Sequence, residues 1–421
     1  MNQGRDRQTA TKVERPRVRD LGYSPGKFSP GSKNSILDVE GLRVGQATIH
    51  RDPDIHTGLT IIFPRDPVDT YSRPCYGATH NLNGVGELTG CHALKEWGFL
   101  RSPIAITNTV SVGKVYDALF LWGIEQARLR GESDLETLRR FTIPIVGETY
   151  DGLLNDISAS IIDRDVVNEA IAAASTQREV QEGNYGGGTA MICHGHKGGT
   201  GTSSRIVPGD GRDYTLGVLV QANYGKKEDL RIGNVPIGAL LLENKTSSPL
   251  LKQSLPAGGK AVEGSKCLQT DAPLLPHQLR RIAQHAGMGV TQVIFHAHPI
   301  YLSGSALTSK QVGGHAAGRN FSGEIFLAFS TGTSPDQLAE ASNGFAYLPK
   351  LETQPVETLK NETIDSLFYA VSEATEEAIL NAMCKAESLT GFNGAHVDAL
   401  PVDKVKSLLD RYLILPPPRV G

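Results

Sequence analysis

A layered fold of mixed strands and helices, of the α/β or α+β kind, is predicted by two features of the 421-residue chain. Short apolar runs mark buried strands, and other segments carry apolar residues at helical spacing. No repeat of fixed period divides the chain. In order, residues 59–63, 104–110 and 216–220 are apolar runs of strand length. Helices are expected over 115–130 and near 166–174. The segment 239–264 turns to Ser, Lys, Pro and a Gly258-Gly259 pair, and reads as an exposed linker. Beyond it Leu275, Leu279, Ile282 and Ala286 recur at helical spacing, with Gly287 as a natural stop. Residues 325–329 form a compact strand candidate. The strongest helix is expected over 363–388, where Ile364, Leu367, Phe368, Val371, Ile379, Ala382 and Met383 make one stripe and Gly391 closes it. A last helix follows Asp403 and ends before Pro416-Pro417-Pro418.

Composition narrows the class. Apolar residues make up 39% and charged residues 21%, the balance of a folded globular protein rather than a disordered one. The length suits one large domain or two medium ones. Net charge is −3, from 42 basic and 45 acidic side chains, which leaves no electrostatic footprint for nucleic acid or an anionic membrane. No apolar run is long enough to cross a bilayer as a helix. Residues 1–33, rich in Arg, Pro, Gly and Ser and lacking the apolar core of a secretory signal, read as a disordered tail. The five cysteines (Cys75, Cys91, Cys193, Cys267, Cys384) are odd in number, scattered and without a C-x-x-C pair. A reduced, cytoplasmic setting is expected from them.

Familiar site motifs are missing. There is no Gly-x4-Gly-Lys-Ser/Thr phosphate loop and no Gly-x-Ser-x-Gly nucleophile elbow. Gly84-Val-Gly86-Glu-Leu-Thr-Gly90 only approaches the dinucleotide fingerprint, its third glycine being displaced by one. Cys193-His194-Gly195-His196 and His296-Ala-His298 hold metal-ligand types, but at spacings that seldom converge on one ion. No metal or organic cofactor is expected. Glycine is the outlier, 46 residues or about 11% against the usual ~7%. Three glycine-bearing stretches precede the linker: 183–189, 197–204 and 221–225. Such loops serve either as tight turns or as bare amides for a ligand's negative charge. Gly264-Ser265, after the linker, is on residue statistics one more loop.

Three segments change that reading of Gly264-Ser265: Thr270-Asp-Ala-Pro-Leu-Leu-Pro-His-Gln-Leu279, Ser322-Gly-Glu324-Ile-Phe-Leu-Ala-Phe-Ser-Thr331 and Val220-Gln-Ala-Asn223-Tyr-Gly225. With Asp38-Val-Glu-Gly-Leu-Arg-Val-Gly45, Thr107-Asn-Thr-Val-Ser-Val-Gly113, Gly147-Glu-Thr-Tyr-Asp-Gly152 and Lys197-Gly-Gly-Thr-Gly-Thr-Ser-Ser-Arg205, they resemble the self-processing aminopeptidases. That family includes the D-stereospecific aminopeptidase/esterases and the β-peptidyl aminopeptidases. The likeness runs in order from about residue 34 to 401.

The resemblance implies a four-layer α-β-β-α sandwich of the N-terminal-nucleophile type. It would be formed jointly by two chains, 34–264 and 265–421, after cleavage of the Gly264–Ser265 bond. Ser265 would become an N-terminal nucleophile whose own α-amine, with a reference pKa of ~7.7–8.0, serves as general base. Ser322 would hydrogen-bond near that amine. Glu324 would supply negative charge, and Asn223 would donate to the oxyanion. Glu148, Tyr150, Gly187 and Gly188 are the expected substrate contacts. The implied reaction is hydrolysis of an amide or ester beside a free amino terminus, through an acyl-enzyme, by an oligomer of two-chain units. A related acyltransferase is the nearby alternative, disfavoured because such enzymes usually use threonine. A catalytically impaired relative with a binding or assembly role is another.

Three departures motivate the last alternative. Leu153 stands where family members often carry an aromatic that assists the oxyanion, and Tyr150 nearby is expected to point differently. Ser265-Lys-Cys-Leu-Gln-Thr270 is polar where an apolar strand is usual, so it reads as a poor buried strand. Lys266 either lowers the pKa of the amine or disturbs strand pairing. Finally, residues 293–311 are an insertion relative to the family, long for a loop without structure of its own. The segment is either a genuine surface loop or, because Val codons begin GT and a Gln codon can end AG, a retained intron.

Overall fold

The computed structural model describes residues 14–132, 143–243, 264–293, 322–335, 351 and 353–414. The chain enters β1 (Arg43–Arg51) and β2 (Ile55–Phe63), then β3 (Cys75–Asn81), α1 (Cys91–Trp97), β4 (Phe99–Leu100) and β5 (Ile104–Asn108). Next come α2 (Val112–Leu129), β6 (Ile145–Thr149) and α3 (Arg164–Thr176), the last capped by the Asp163 carboxylate on the amides of Asp165 and Val166. Two short strands, β7 (Ile192–Cys193) and β8 (His196–Lys197), lead to the long hairpin β9 (Gly199–Val207) and β10 (Tyr214–Ala222), then α4 (Ile237–Glu243). β11 (Gly264–Thr270), α5 (Pro276–Val293), β12 (Glu324–Ser330), α6 (Asp365–Lys385), the small pair β13 (Leu389–Thr390) and β14 (His396–Val397), and α7 (Val402–Tyr412) complete it.

Two large sheets result, in the orders β1-β2-β5-β6 and β4-β3-β12-β11-β10-β9, beside the two-stranded pairs β7-β8 and β13-β14. Successive side chains of a strand point to opposite faces, and the core divides accordingly. Leu59, Ile61, Ala105 and Val146 pack under α2 and α3 with Val115, Leu119 and Val167. Their neighbours Ile62, Ile104, Ile106 and Ile145 face the other sheet and meet Leu219, Cys267, Ile325 and Leu327. From that second sheet Val218, Val220, Leu268, Phe326 and Ala328 turn outward against α5 and α6. Helices, sheet, sheet, helices: this is the expected α-β-β-α sandwich, and the runs at 59–63, 104–108 and 216–220 are strands within it.

Four expectations are corrected. Residues 14–33 are no loose tail but an arm laid over α6. Arg15 donates to the carbonyls of Cys384 and Leu400, Arg17 pairs with Glu182 at 2.6 Å, and Arg19 grips both oxygens of Glu377. Val18 is fully buried and its amide donates to Asn381. The arginines that suggested a solvated segment are therefore anchors; residues 1–13 lie outside the described set. For the same reason α6 is not a one-sided stripe. Glu373, Glu376, Glu377 and Asn381 on its other side are buried beneath the arm.

Residues 239–243 of the supposed linker belong to α4, whose Ile237, Gly238 and Leu241 are buried. Gly287 does not stop α5, which runs on to Val293. A side-chain-free surface is what the crossing with α6 needs, since a Cβ on Gly289 would lie 2.4 Å from the Ser372 carbonyl oxygen. The insertion lies outside the described residues except for Val293, which ends α5.

Candidate active site

β11 is a central strand despite its polarity. It pairs antiparallel with β10, Ser265 opposite Gln221, and parallel with β12, Gly264 opposite Glu324 and Ser265 opposite Ile325. Residues Ser265 to Thr270 are all buried. This corrects the reading of a poor strand, and the reason is that most of its polar groups find partners, Gln269 Oε1 excepted. Ser265 Oγ donates to the Glu148 carbonyl at 2.8 Å, Thr270 Oγ1 to the Thr215 carbonyl at 2.9 Å, and Lys266 Nζ to the Glu324 carboxylate.

Alternation decides which face each residue serves. Ser265 shares the sandwich interior with Cys267 and reaches across to β6 of the opposite sheet. Lys266 and Glu324 lie on the outer face with Leu268 and Phe326, where the Lys266 ammonium is 5.1 Å from the ring centres of both Tyr224 and Phe326. Burial lowers the pKa of that ammonium, the Cys193 thiol opposes the shift, and contact with the Glu324 carboxylate favours the charged form.

Asn223 follows β10 immediately and is 1% exposed. Its Oδ1 accepts from the Ile192 amide and its Nδ2 donates to the Tyr150 carbonyl, each at 2.9 Å. An amide nitrogen carries two hydrogens, so one donor remains beyond that bond. Tyr150 contributes its carbonyl to this brace, its side chain being 42% exposed, as is Leu153 at 37%.

Glu148 is buried, with its amide donating to the Glu87 carbonyl and its Oε1 accepting from the Glu87 amide at 2.8 Å. Ser322 is buried as well, its carbonyl accepting from the Val85 amide, while the Glu324 amide donates to Asn83. One loop, Asn83 to Glu87, thus braces Ser322, Glu324 and Glu148 together. Sequence reading missed it, seeing there only an imperfect nucleotide fingerprint. Gly323 carries a usable signal, because a Cβ there would meet the Val85 carbonyl oxygen at 2.3 Å.

Gly187 and Gly188 have a different role from the expected substrate contact. The Gly187 amide donates to Thr60 Oγ1 and that of Gly188 to the Tyr185 carbonyl. A Cβ at Gly187 would approach the Ile106 carbonyl oxygen to 2.6 Å, and one at Gly188 the Thr200 amide nitrogen to 2.1 Å. They are packing glycines with their amides already engaged. Below the Tyr150 loop, Asp151 accepts from Thr57 Oγ1 and Asn108 Nδ2, and burial raises its carboxyl to about 6. Among the described residues no helix is long and apolar enough to cross a membrane.

Known proteins share this architecture. Peptidase family S58 matches residues 34–309 and 306–397. The β-peptidyl aminopeptidase BapA of Sphingosinicella microcystinivorans is 36% identical over 416 residues, 96% of this chain and 94% of that protein. A β-aminopeptidase from Burkholderia sp. superposes with a TM-score of 0.77 at 37% identity, covering 95% of this chain and all of that one. The L-aminopeptidase D-Ala-esterase/amidase of Ochrobactrum anthropi also gives 0.77, at 34% identity over 94% of this chain and 99% of that one. It is described as a prototype of the serine aminopeptidases and a variant of the N-terminal-nucleophile hydrolase fold. With Ser265 set between two such sheets, the chain belongs to peptidase family S58 and is an aminopeptidase of the serine type.

Proposed function

We propose that this aminopeptidase activates itself by cutting the Gly264–Ser265 bond and then works through an acyl-enzyme on Ser265. The observation that carries the reading is the place of Ser265. It follows Gly264 within a central buried strand, its hydroxyl in the sandwich interior, with Glu324 in register beside the bond to be cut.

Cleavage frees the Ser265 α-amine. In its unprotonated form it takes the proton of its own Oγ as that oxygen attacks the substrate carbonyl. Asn223 donates to the oxyanion, and Ser322 and Glu324 hold the amine end of β11. Collapse of the tetrahedral adduct expels the amine or alcohol with that proton, and water then releases the acyl group. Glu148, whose carbonyl already receives the Ser265 hydroxyl, is the proposed seat of the substrate's ammonium, with Tyr150 at the rim. The substrates are peptides, amides or esters with a free amino terminus; β-amino acids are included by likeness to the β-peptidyl aminopeptidases. No cofactor takes part, and the two-chain units assemble as oligomers.

Dividing 45.2 kDa in the ratio 264 to 157 gives bands of about 28 and about 17 kDa on a denaturing gel. Ser265→Ala abolishes both cleavage and the hydrolysis of aminoacyl anilides. A single 45 kDa band together with inactivity of the unaltered protein refutes the reading. Intact mass of the smaller chain reports at the same time whether residues 293–311 are present in the protein.

A further inference from the structure

Lys266 has no part in the mechanism above, yet it is a fully buried lysine one residue from the nucleophile. It lies on the face of the sheet opposite to the Ser265 hydroxyl and in contact with the Glu324 carboxylate. Parallel pairing places Glu324 opposite Gly264, so this carboxylate flanks the position where cleavage frees the amine. Neighbouring strands are only ~4.8 Å apart. A bare buried carboxylate on that adjacent strand would favour the ammonium form of the amine, and an ammonium has no lone pair with which to take the Ser265 proton.

We infer that Lys266 is a positioning residue that neutralises Glu324 and so keeps the freed Ser265 amine in its base-competent, unprotonated form. The inference rests on the proposed self-activation. Whichever atom of the Lys266–Glu324 pair carries the shared proton, the pair as a whole is uncharged, so the amine sits beside a neutral pair rather than a negative charge. The surroundings add little charge of their own. On this face burial pushes Cys193 up to about 12 and Tyr224 well above its ordinary value, so both stay neutral. His80, stacked on Phe326, is pushed down by burial, and Glu376 of α6, which acts on Tyr224, is raised to about 7. On the interior face Glu148 is the carboxylate whose backbone meets Ser265.

The test is the pH profile of kcat/KM for an aminoacyl anilide, measured on purified two-chain enzyme. Lys266→Met is expected to move the acid limb upward by about 1 pH unit. That is a roughly tenfold loss on the acid side of the limb, with a much smaller loss at pH 9. Lys266→Arg, which retains the positive charge, keeps the limb of the unaltered enzyme. A Lys266→Met enzyme that loses rate equally at all pH values assigns the residue a merely structural role and overturns the inference. Should Lys266→Met fail to fold or process, the unaltered enzyme decides. Cyanate carbamylation of the Ser265 α-amine, followed by intact mass, must show a midpoint below the reference ~7.7–8.0, and a midpoint at or above it overturns the inference. Failure of the wider reading looks different: the unaltered protein then stays one 45 kDa chain and carries no new amine.

Discussion

Arg205 offers the most direct test of the arm-over-helix packing. Its side chain is fully buried. Nη2 lies 2.8 Å from Glu377 Oε2, Nε is 3.4 Å from Glu373 Oε2, and the guanidinium also donates to the carbonyls of Ser204, Pro25 and Glu373. Arg19 comes to the same Glu377 from the arm. Burial raises Glu376 to about 7, with the Tyr23 hydroxyl bound to it, so below that pH two guanidiniums face two carboxylates. Arg205→Met keeps the volume of the side chain but leaves one buried negative charge unmatched, and such a loss costs about 3–5 kcal/mol. Urea denaturation in the Ser265→Ala background, where one covalent chain unfolds, measures it. The pH dependence is a second signature. Glu377 is held below its ordinary value, with Arg19 and Arg205 opposing the cost of burial. Its contribution is complete above the unfolded value of 4.5 and is lost as pH falls through the folded one. The Arg205→Met deficit is therefore full at neutral pH and shrinks below 4.5. A deficit under about 1 kcal/mol at neutral pH, the size expected of an exposed ion pair, refutes the packing argument.

Two further substitutions follow from the same geometry. Glu376 binds its proton more tightly folded than unfolded, so ionising it costs stability as pH rises from 4.5 to about 7. Glu376→Gln keeps an acceptor for Tyr23 and removes the titration. Its advantage should grow between pH 5 and pH 8 by up to about 3 kcal/mol, and a pH-independent difference in urea midpoints counts against the assignment. Asn223→Ala should lower kcat by about 10²–10³ if its second amide hydrogen meets the oxyanion; a loss below tenfold in anilide hydrolysis removes it from that role.

The strands at 59–63 and 216–220 were legible because runs of mostly apolar residues, interrupted only by Thr60 and Gly217, are what a strand buried on both faces requires. The order of motifs around Gly264-Ser265 was legible because the chemistry needs particular residue types there. The arm was not. Arg15, Arg17 and Arg19 look the same in sequence whether they are solvated or whether they end on Glu182, Glu377 and the carbonyls of Cys384 and Leu400. Only contacts hundreds of residues apart distinguish the two cases. The Asn83–Glu87 loop escaped notice for a similar reason, since its work is done by backbone amides and carbonyls that side-chain patterns do not record. Gly187 and Gly188 misled in the opposite sense. A glycine that lets a ligand near and one that lets a neighbouring strand near are identical in sequence, and here Ile106 and Thr200 occupy the space.

The polarity of β11 is better explained by what the strand must become than by how it packs. Ser265 points into the interior and Lys266 outward, so the two side chains are separated by the thickness of a sheet. The backbone nitrogen of Ser265 lies in the sheet plane. In the intact chain it is an amide and indifferent to either side. On the proposed cleavage of the bond to Gly264 it would become an amine placed to respond to both faces, to the hydroxyl it would deprotonate on one and to the charge on Glu324 on the other. An apolar residue at position 266 would pack as well against Tyr224 and Phe326, but would leave Glu324 to the amine alone. On the proposed mechanism Lys266 is therefore less a disturbance of the strand than a counterweight to Glu324, set on the face opposite to the Ser265 hydroxyl.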